Sequence, residues 1–303
     1  MDKKESIMRF ADKRPEARAV FGYGSGVFEQ DISTSKPLTD VIFVVDDLQK
    51  WHHDNMEVNS NDYSLIGRIH LSRDNMRKLK GKNFVTYFSE IKDKDIEYTF
   101  KYGVVEENDF VRNLGTWENL FLVGRFHKPV LDVFSNEKIE EVINQNRECA
   151  FRIACILSNP LIEKEELFEL ICGLSYMGDA RMRFAENPHK VECIVKNSFE
   201  KLESIYKFEE PYVRLFSRNL VLINHEILMS EIEMLPECLV DYLASVNTNL
   251  SDLEMVRRNI LDYIINHNKI ESKAQIFEGI KTNGIIRSIP YAFAKVKKKF
   301  MSK

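Results

Sequence analysis

The chain has 303 residues, of which 44% are hydrophobic, 30% charged and 11% aromatic, enough apolar material for a large core and too much for a disordered chain or a disulfide-stapled miniprotein. Its 43 basic and 47 acidic side chains give a formal charge of −4, which argues against a uniformly basic coat for nucleic acid. The charge is unevenly spread, because residues 281–303 carry seven Lys or Arg and no acid, leaving −11 on the preceding 280.

Asp2, Lys3, Lys4 and Glu5 open the chain without a following apolar block, which fits neither a secretory signal nor an acid-poor transit peptide and predicts a cytoplasmic protein. Up to about residue 135, short apolar runs bounded by Gly, Asp, Asn or Lys predict strands at 19–23, 41–45, 64–70, 84–88, 96–105 and 128–133. Beyond it, apolar spacings of three and four predict helices over 139–157, 164–174, 190–205, 226–243 and 250–266, with Pro160, Pro188, Pro211, Pro236 and Pro290 as breaks. The expected fold is α/β (α+β): a mixed-sheet head over residues 1–135, a mostly helical region over 136–280 and a basic tail over 281–303. No repeat or Gly/Ser linker separates the first two, so they are expected to pack together. No apolar run reaches the roughly 18 to 20 residues of a membrane-spanning helix. The five cysteines, odd in number and without a Cys-x-x-Cys pair, read as buried thiols.

The first two strands are joined through Phe21-Gly22-Tyr23-Gly24-Ser25-Gly26-Val27-Phe28. Its glycines let backbone N–H groups approach a phosphate without a Cβ in the way, and Ser25 can add a hydroxyl donor. No Gly-Lys-Ser/Thr follows, as it would in a Walker loop, and the third glycine of a dinucleotide fingerprint is missing. Taken alone, the turn fits a tight strand-to-helix connection just as well. The next strand changes its meaning, because Asp40 opens the apolar run Val41 to Val45, and a carboxylate there invites a metal ion. A Gly-Ser turn followed about 15 residues later by a strand opening with Asp resembles the nucleotidyltransferase superfamily, whose turn holds a triphosphate and whose strand carboxylates hold magnesium. The usual place of a second acid, two residues on, is Ile42 here. Asp46 lies roughly 20 Å further along a straight strand, too far to share the ion. In the run 95–102, Ile96, Tyr98, Phe100 and Tyr102 alternate with Asp95, Glu97, Thr99 and Lys101. Glu97 or Asp95 is suited to complete a magnesium site and Lys101 to neutralise phosphate oxygens, although a solvated strand face has the same pattern.

Further segments follow in order: Asp40 through Val45-Asp46-Asp47 to Trp51-His52; Asn59 through His70, including Tyr63-Ser64; Lys101-Tyr102-Gly103-Val104; Trp117-Glu118-Asn119-Leu120 through Gly124-Arg125 to Lys128-Pro129-Val130; and Gly173-Leu174-Ser175-Tyr176-Met177-Gly178-Asp179-Ala180-Arg181-Met182, with a weaker stretch over 190–196. In these, and in the glycine turn, the chain resembles the phosphatidate cytidylyltransferases (CDP-diacylglycerol synthases) of the mitochondrial translocator assembly and maintenance type, a family that also has bacterial members. Residues 205–280 depart from it, and the short N-terminus points to a bacterial member. The resemblance implies transfer of a cytidylyl group from CTP to phosphatidic acid with Mg2+, giving CDP-diacylglycerol and pyrophosphate; with a cytoplasmic, bacterial protein the expected place is the inner face of the cell membrane.

Together with the reading of the strands, this puts nucleotide phosphates on Gly24, Ser25 and Gly26, the metal on Asp40 and Glu97, and catalysis on Asp40 and Lys101. Substrate phosphates fall to Arg125, Tyr176, Asp179, Arg181, Lys190 and Lys196. Each of these cations equally suits a surface ion pair, Asp179 suits a helix cap or a partner for Arg181, and Tyr176 suits the core. His52, beside His53 and without a His-x-x-x-His pattern, reads as structural or nucleotide-shaping rather than zinc-binding. The alternatives are a nucleotidyltransferase with another acceptor, such as a sugar phosphate or an RNA end, and a non-catalytic membrane assembly protein. The intact turn and Asp40 argue against the last, and the lack of a broad basic patch argues against nucleic acid.

In the tail, Ile286, Ile289, Phe293, Val296 and Phe300 recur at spacings of three and four among Arg287, Lys295, Lys297, Lys298 and Lys299. A helix there is basic and amphipathic, its stripe suited to acyl chains and its cations to anionic headgroups. Pro290 starts or kinks it. Residues 284–303 are therefore expected to contact an anionic membrane surface, the plainer alternative being a terminal helix packed on its own protein.

Overall fold

The computed structural model describes residues 2–24, 26–28, 38–63, 86–92, 96, 98–183 and 187–283. Helix α1 (Lys3–Asp12) is capped by Asp2, whose carboxylate accepts from the Glu5 N–H at 2.7 Å, and it turns Ile7 and Phe10 inward. Strands β1 (Ala19–Tyr23), β2 (Thr39–Val45), β3 (Thr86–Lys92), β4 (Thr99–Glu106) and β5 (Leu131–Phe134) form one mixed sheet in the order β3-β4-β2-β1-β5. The β2/β4 pair is parallel and the others are antiparallel. The unbroken apolar run Val41 to Val45 is explained by this order, since β2 lies in the middle and is covered on both faces.

Strand alternation assigns the two faces. Val20, Val41, Phe43, Phe100, Tyr102 and Val104 pack with Ile7, Phe10 and Trp51 beneath α1 and α2 (Leu48–Val58). Ala19, Phe21, Ile42, Val44 and Val105 face α3 (Glu107–Thr116), α4 (Leu120–Phe126) and α5 (Glu137–Leu157), in a cluster that runs on to Ile264. Head and helical region therefore share one core, as the missing linker led us to expect.

After α5 come β6 (Leu161–Glu163), α6 (Lys164–Gly173), α7 (Lys190–Ile205) and the strands β7 (Val213–Leu215) and β8 (Leu220–Ile223). The three short strands pair antiparallel in the order β6-β8-β7. Helix, strand, two helices and a hairpin are the element order of a winged helix. Then α8 (His225–Ser230), α9 (Glu237–Ser245) and the long α10 (Leu253–Asn283) complete the described chain. Helix α10 returns to touch α4, α5 and β3. Among the described residues no helix is long and apolar enough to cross a membrane.

The α/β (α+β) expectation holds, and the runs at 19–23, 41–45, 84–88, 96–105 and 128–133 each correspond to a strand with shifted ends. The run 64–70 lies outside the described residues. Helices α1 to α4 were not expected, and the single helix expected over 226–243 is two. Pro236 immediately precedes α9, where its lack of an N–H is harmless. Of the five free cysteines only Cys155 and Cys172 are buried; Cys149, Cys193 and Cys238 are half-buried, against the expectation for all five. Asp46 is occupied by an exposed ion pair with Arg18 at 2.5 Å. His52 is fully buried beside Trp51 and shares a hydrogen bond between Nδ1 and the Tyr63 hydroxyl at 3.1 Å. Burial pushes its pKa down to about 3. It lies on the α1 side of the sheet, away from Asp40, which leaves it the structural role.

Candidate active site

Register places three side chains in one row across the sheet. Tyr23 is the strand partner of Asp40, and Asp40 that of Lys101; parity with Phe21, Ile42 and Val105 directs all three to the helical face. The row stands where β1 ends and β2 begins, at the margin of the core. Asp40 and Lys101 are 25% and 23% exposed, with Oδ1 3.7 Å from Nζ. The glycine turn folds over this row. Gly24 has φ +74°, and a Cβ on it would lie 3.4 Å from Asp40 Oδ2. Gly26 is pressed so closely on the start of β2 that a Cβ would overlap the Leu38 carbonyl. Ser25, Asp95, Glu97 and the tail 284–303 lie outside the described residues.

The predicted cations come from the helical side. Arg125, in the last turn of α4, places its guanidinium 5.4 Å from the centre of the Tyr23 ring and 3.8 Å from that of Phe121. Arg181 also stands over Phe121, at 5.1 Å. Buried Asp179 accepts from Arg181 Nε at 3.0 Å and Nη2 at 2.5 Å, and from the Arg181 backbone N–H at 2.8 Å. It thus both caps the turn over 180–183 and fixes Arg181. Tyr176 is half-buried rather than core, with the ammonium groups of Lys128 and Lys190 at 5.0 and 5.4 Å from its ring centre. Lys196 is exposed and roughly 120° around α7 from Lys190, so it is not brought to this group.

Two further cations belong here. Lys128 donates to Ser175 Oγ at 2.7 Å, and Lys201 stands 4.1 Å from the centre of the Phe28 ring, just past the glycine turn. No local signal marks Lys201, because α7 is kinked at Ser198 (φ −128°, ψ 15°), between it and Lys190, and the helical period does not carry across. Nor does one mark Lys128, which stands between His127 and Pro129 in the sequence. Burial lowers the Lys128 pKa, helped by the charges of Arg125 and Lys190 and opposed by Tyr176 and Cys172.

The Trp117 to Lys128 segment owes its shape to its polar residues. Trp117 ends α3 in the left-handed region, at φ 61°. Its indole N–H donates to buried Asn146 at 2.9 Å, and Asn146 in turn bonds His127 and the Val123 carbonyl. Asn119 caps α4 by accepting from the Phe121 and Leu122 N–H groups. Glu271 of α10 accepts from Leu120 and Phe121 N–H at 3.1 and 2.6 Å. The same helix holds the 174–180 loop: Asn268 donates to the carbonyls of Leu174 and Met177, and Ser272 Oγ accepts from the Ala180 N–H. Gly178 allows that loop to lie directly on Ile265.

Among the described residues no group of three or more His, Cys, Asp or Glu could hold a metal ion. Magnesium, however, is commonly held by one or two carboxylates with substrate phosphates and water. Asp40, partly exposed beside the glycine turn, fits that donor set.

A carboxylate under a glycine turn, ringed by Lys and Arg, suits transfer of a charged group between two anions. The family model described as "Phosphatidate cytidylyltransferase, mitochondrial" matches residues 5–226. A protein of that name from Schizosaccharomyces pombe is 30% identical over 93% of this chain and 80% of its own length. Those from Drosophila melanogaster and Dictyostelium discoideum are 26% identical over 93% of the chain and 94% of their own, and 33% identical over 67% and 52%. The chain belongs to the phosphatidate cytidylyltransferase family, and the expectation of an enzyme of that type is borne out. The expected cytoplasmic location at the cell membrane is overturned, because the relatives are called mitochondrial. The opening residues misled because they are part of the fold: Lys3 to Asp12 is a helix packed through Ile7 and Phe10, and its charges say nothing of compartment.

Proposed function

We propose that the chain makes CDP-diacylglycerol by moving the cytidylyl group of CTP to the phosphate of phosphatidate, with magnesium at Asp40, on a membrane surface. One observation carries this reading: the glycine turn, Asp40 and Lys101 share one end of the sheet with Arg125, which stands over Tyr23. A phosphate oxygen of phosphatidate attacks the α-phosphorus of CTP and a P–O bond forms there. The bond to the bridging oxygen breaks, and its electron pair leaves on pyrophosphate. The attacking group is already an anion, so no side chain need remove a proton, and the work is alignment and neutralisation. Backbone N–H groups of the turn cradle the triphosphate, while Lys101 and Arg125 meet its oxygens. Asp40 holds the magnesium, which when bound screens the two anions from one another. Tyr176, Lys190 and Arg181, the last held by Asp179, serve the substrate phosphates. In this reading the chain divides near residues 135 and 280 into a catalytic head, a helical region closing on it, and a tail that brings both to anionic lipid.

The test mixes purified protein, labelled CTP, magnesium and phosphatidate vesicles, and resolves the lipid product. Lipid-linked CMP is expected from the wild type, and at least about a hundredfold less from Asp40→Ala. No labelled lipid from a protein that binds CTP overturns the reading. Pyrophosphate release only with a sugar phosphate or an RNA end assigns a different acceptor.

A further inference from the structure

Among the described residues Lys128 is a cation without an anion. Its side chain enters the protein behind α4, donates to Ser175 Oγ at 2.7 Å and lies 5.0 Å from the Tyr176 ring centre. Ser175 turns its own proton toward the Cys172 carbonyl, 3.4 Å away, leaving a lone pair for the ammonium. Among the described residues no carboxylate forms an ion pair with Lys128, and the two charged side chains that act on it, Arg125 and Lys190, have its own sign, although Tyr176 and Cys172 act on it more strongly in the opposite sense. Lys190 shares the same ring, at 5.4 Å. A desolvated ammonium held against two positive neighbours costs free energy unless an anion arrives.

The surroundings are built for this arrangement. At Gly124 a Cβ would overlap that of Ser175, so only glycine lets α4 close on the 173–177 turn and bring the hydroxyl to Lys128. Asn268 then fixes that turn from α10 through the Leu174 and Met177 carbonyls. Two ammonium groups within 5.4 Å of one ring centre, with a hydroxyl between helix and turn, match an anion with several oxygens and more than one charge.

We propose that Lys128, set by Ser175 and sharing the Tyr176 ring with Lys190, is the receptor for one phosphate group of the reactants, separate from the glycine turn and Asp40. The subsite deepens the cytidylyltransferase reading and rests on it for the source of that phosphate, which is either the CTP and pyrophosphate side or the lipid acceptor.

Titrations of the full chain with pyrophosphate, CTP and phosphatidate/phosphatidylcholine vesicles separate the two sources, using Lys128→Met, Lys128→Arg and Ser175→Ala. Lys128→Met is expected to weaken one arm by about tenfold or more, the scale of a lost charge-assisted hydrogen bond. Lys128→Arg should recover part of that loss, and Ser175→Ala should weaken the same arm. Because the unpaired charge is gone, ligand-free Lys128→Met should melt no lower than the wild type while losing the rise in Tm that the ligand gives. Variants that bind all three ligands as the wild type does, or a Lys128→Met protein that melts lower with its ligand-induced rise intact, overturn the subsite. A wild type that binds pyrophosphate through Lys128 but makes no lipid-linked CMP would sink the cytidylyltransferase reading and leave the subsite standing.

Discussion

At position 26 a single methyl group is enough to displace the glycine turn. Gly26 lies against the Leu38 carbonyl with no room for a Cβ, whereas Gly115 in α3 has nothing within 4 Å of where its Cβ would be. Gly26→Ala must therefore push the turn off the start of β2, the strand that carries Asp40. We expect a loss of about 1–3 kcal/mol in a urea melt together with a marked loss of CTP affinity. Gly115→Ala should instead gain up to about 1 kcal/mol, the ordinary benefit of alanine in a helix; equal effects of the two would show that the close packing at Gly26 is unimportant. At this scale much of the site was legible. A carboxylate opening an apolar run, and glycines just before it, are chemistry written locally. The role proposed for Lys128 was not legible, because what singles the residue out is the company it keeps: a serine brought in by Gly124, and like charges where a carboxylate would be expected.

Elements were legible where a long helix repeats its apolar stripe over many turns, and hidden where the helix is short, as α4 is, or its inward face is partly polar. Helix α5 is read easily from Ile139, Val142, Ile143, Ala150 and Ile153, all buried. Helix α2 turns Trp51, His52 and Asn55 inward, and α3 turns in Phe110, Asn113 and Leu114. An inward Asn or His blurs the period on which a pattern reading depends, though inside the fold such groups find partners, as Asn55 does on the Tyr63 and Tyr102 hydroxyls. Strands β6 to β8 are only three or four residues long, too short for alternation to register. Glu271 shows what a polar contact between elements does here. Burial raises its pKa from 4.5 to about 7, against the pull of the Phe121 and Leu120 N–H groups and the charge of Arg125. The folded protein thus keeps a proton that the unfolded chain has released. The stabilisation this gives is complete below about pH 4.5 and is lost as the pH rises through 7. Glu271→Gln cannot titrate, so its Tm should fall less than the wild type's across that window; parallel Tm curves would mean that the Glu271 carboxyl ionises as an exposed one does.

At the scale of the molecule, α10 ties these parts together. Ile265, Asn268 and Ser272 hold the loop that carries Tyr176, Asp179 and Arg181, and Glu271 holds the start of the helix that carries Phe121 and Arg125. The missing linker in the sequence foretold that head and helical region would touch. That one helix would brace both walls of the site was not foreseen, because the bracing depends on single polar residues meeting carbonyls and N–H groups far away in sequence. Residues 284–303 follow α10 in sequence, and in them Arg287, Lys295, Lys297, Lys298 and Lys299 are interspersed along the chain with Ile286, Ile289, Phe293, Val296 and Phe300. On a chain whose first 280 residues sum to −11, an anionic bilayer repels the body and attracts this segment, so attachment should be decided by the tail. Each lysine at such a surface contributes about 1 kcal/mol. Reversing Lys295, Lys297, Lys298 and Lys299 to Glu should then abolish sedimentation with phosphatidate vesicles and activity on membrane-held lipid, while CTP binding in solution stays as in the wild type. Added salt should weaken wild-type sedimentation in the same sense, because surface charges are screened within about 10 Å at 0.1 M. A charge-reversed protein that still sediments fully at low salt would mean that another surface meets the membrane.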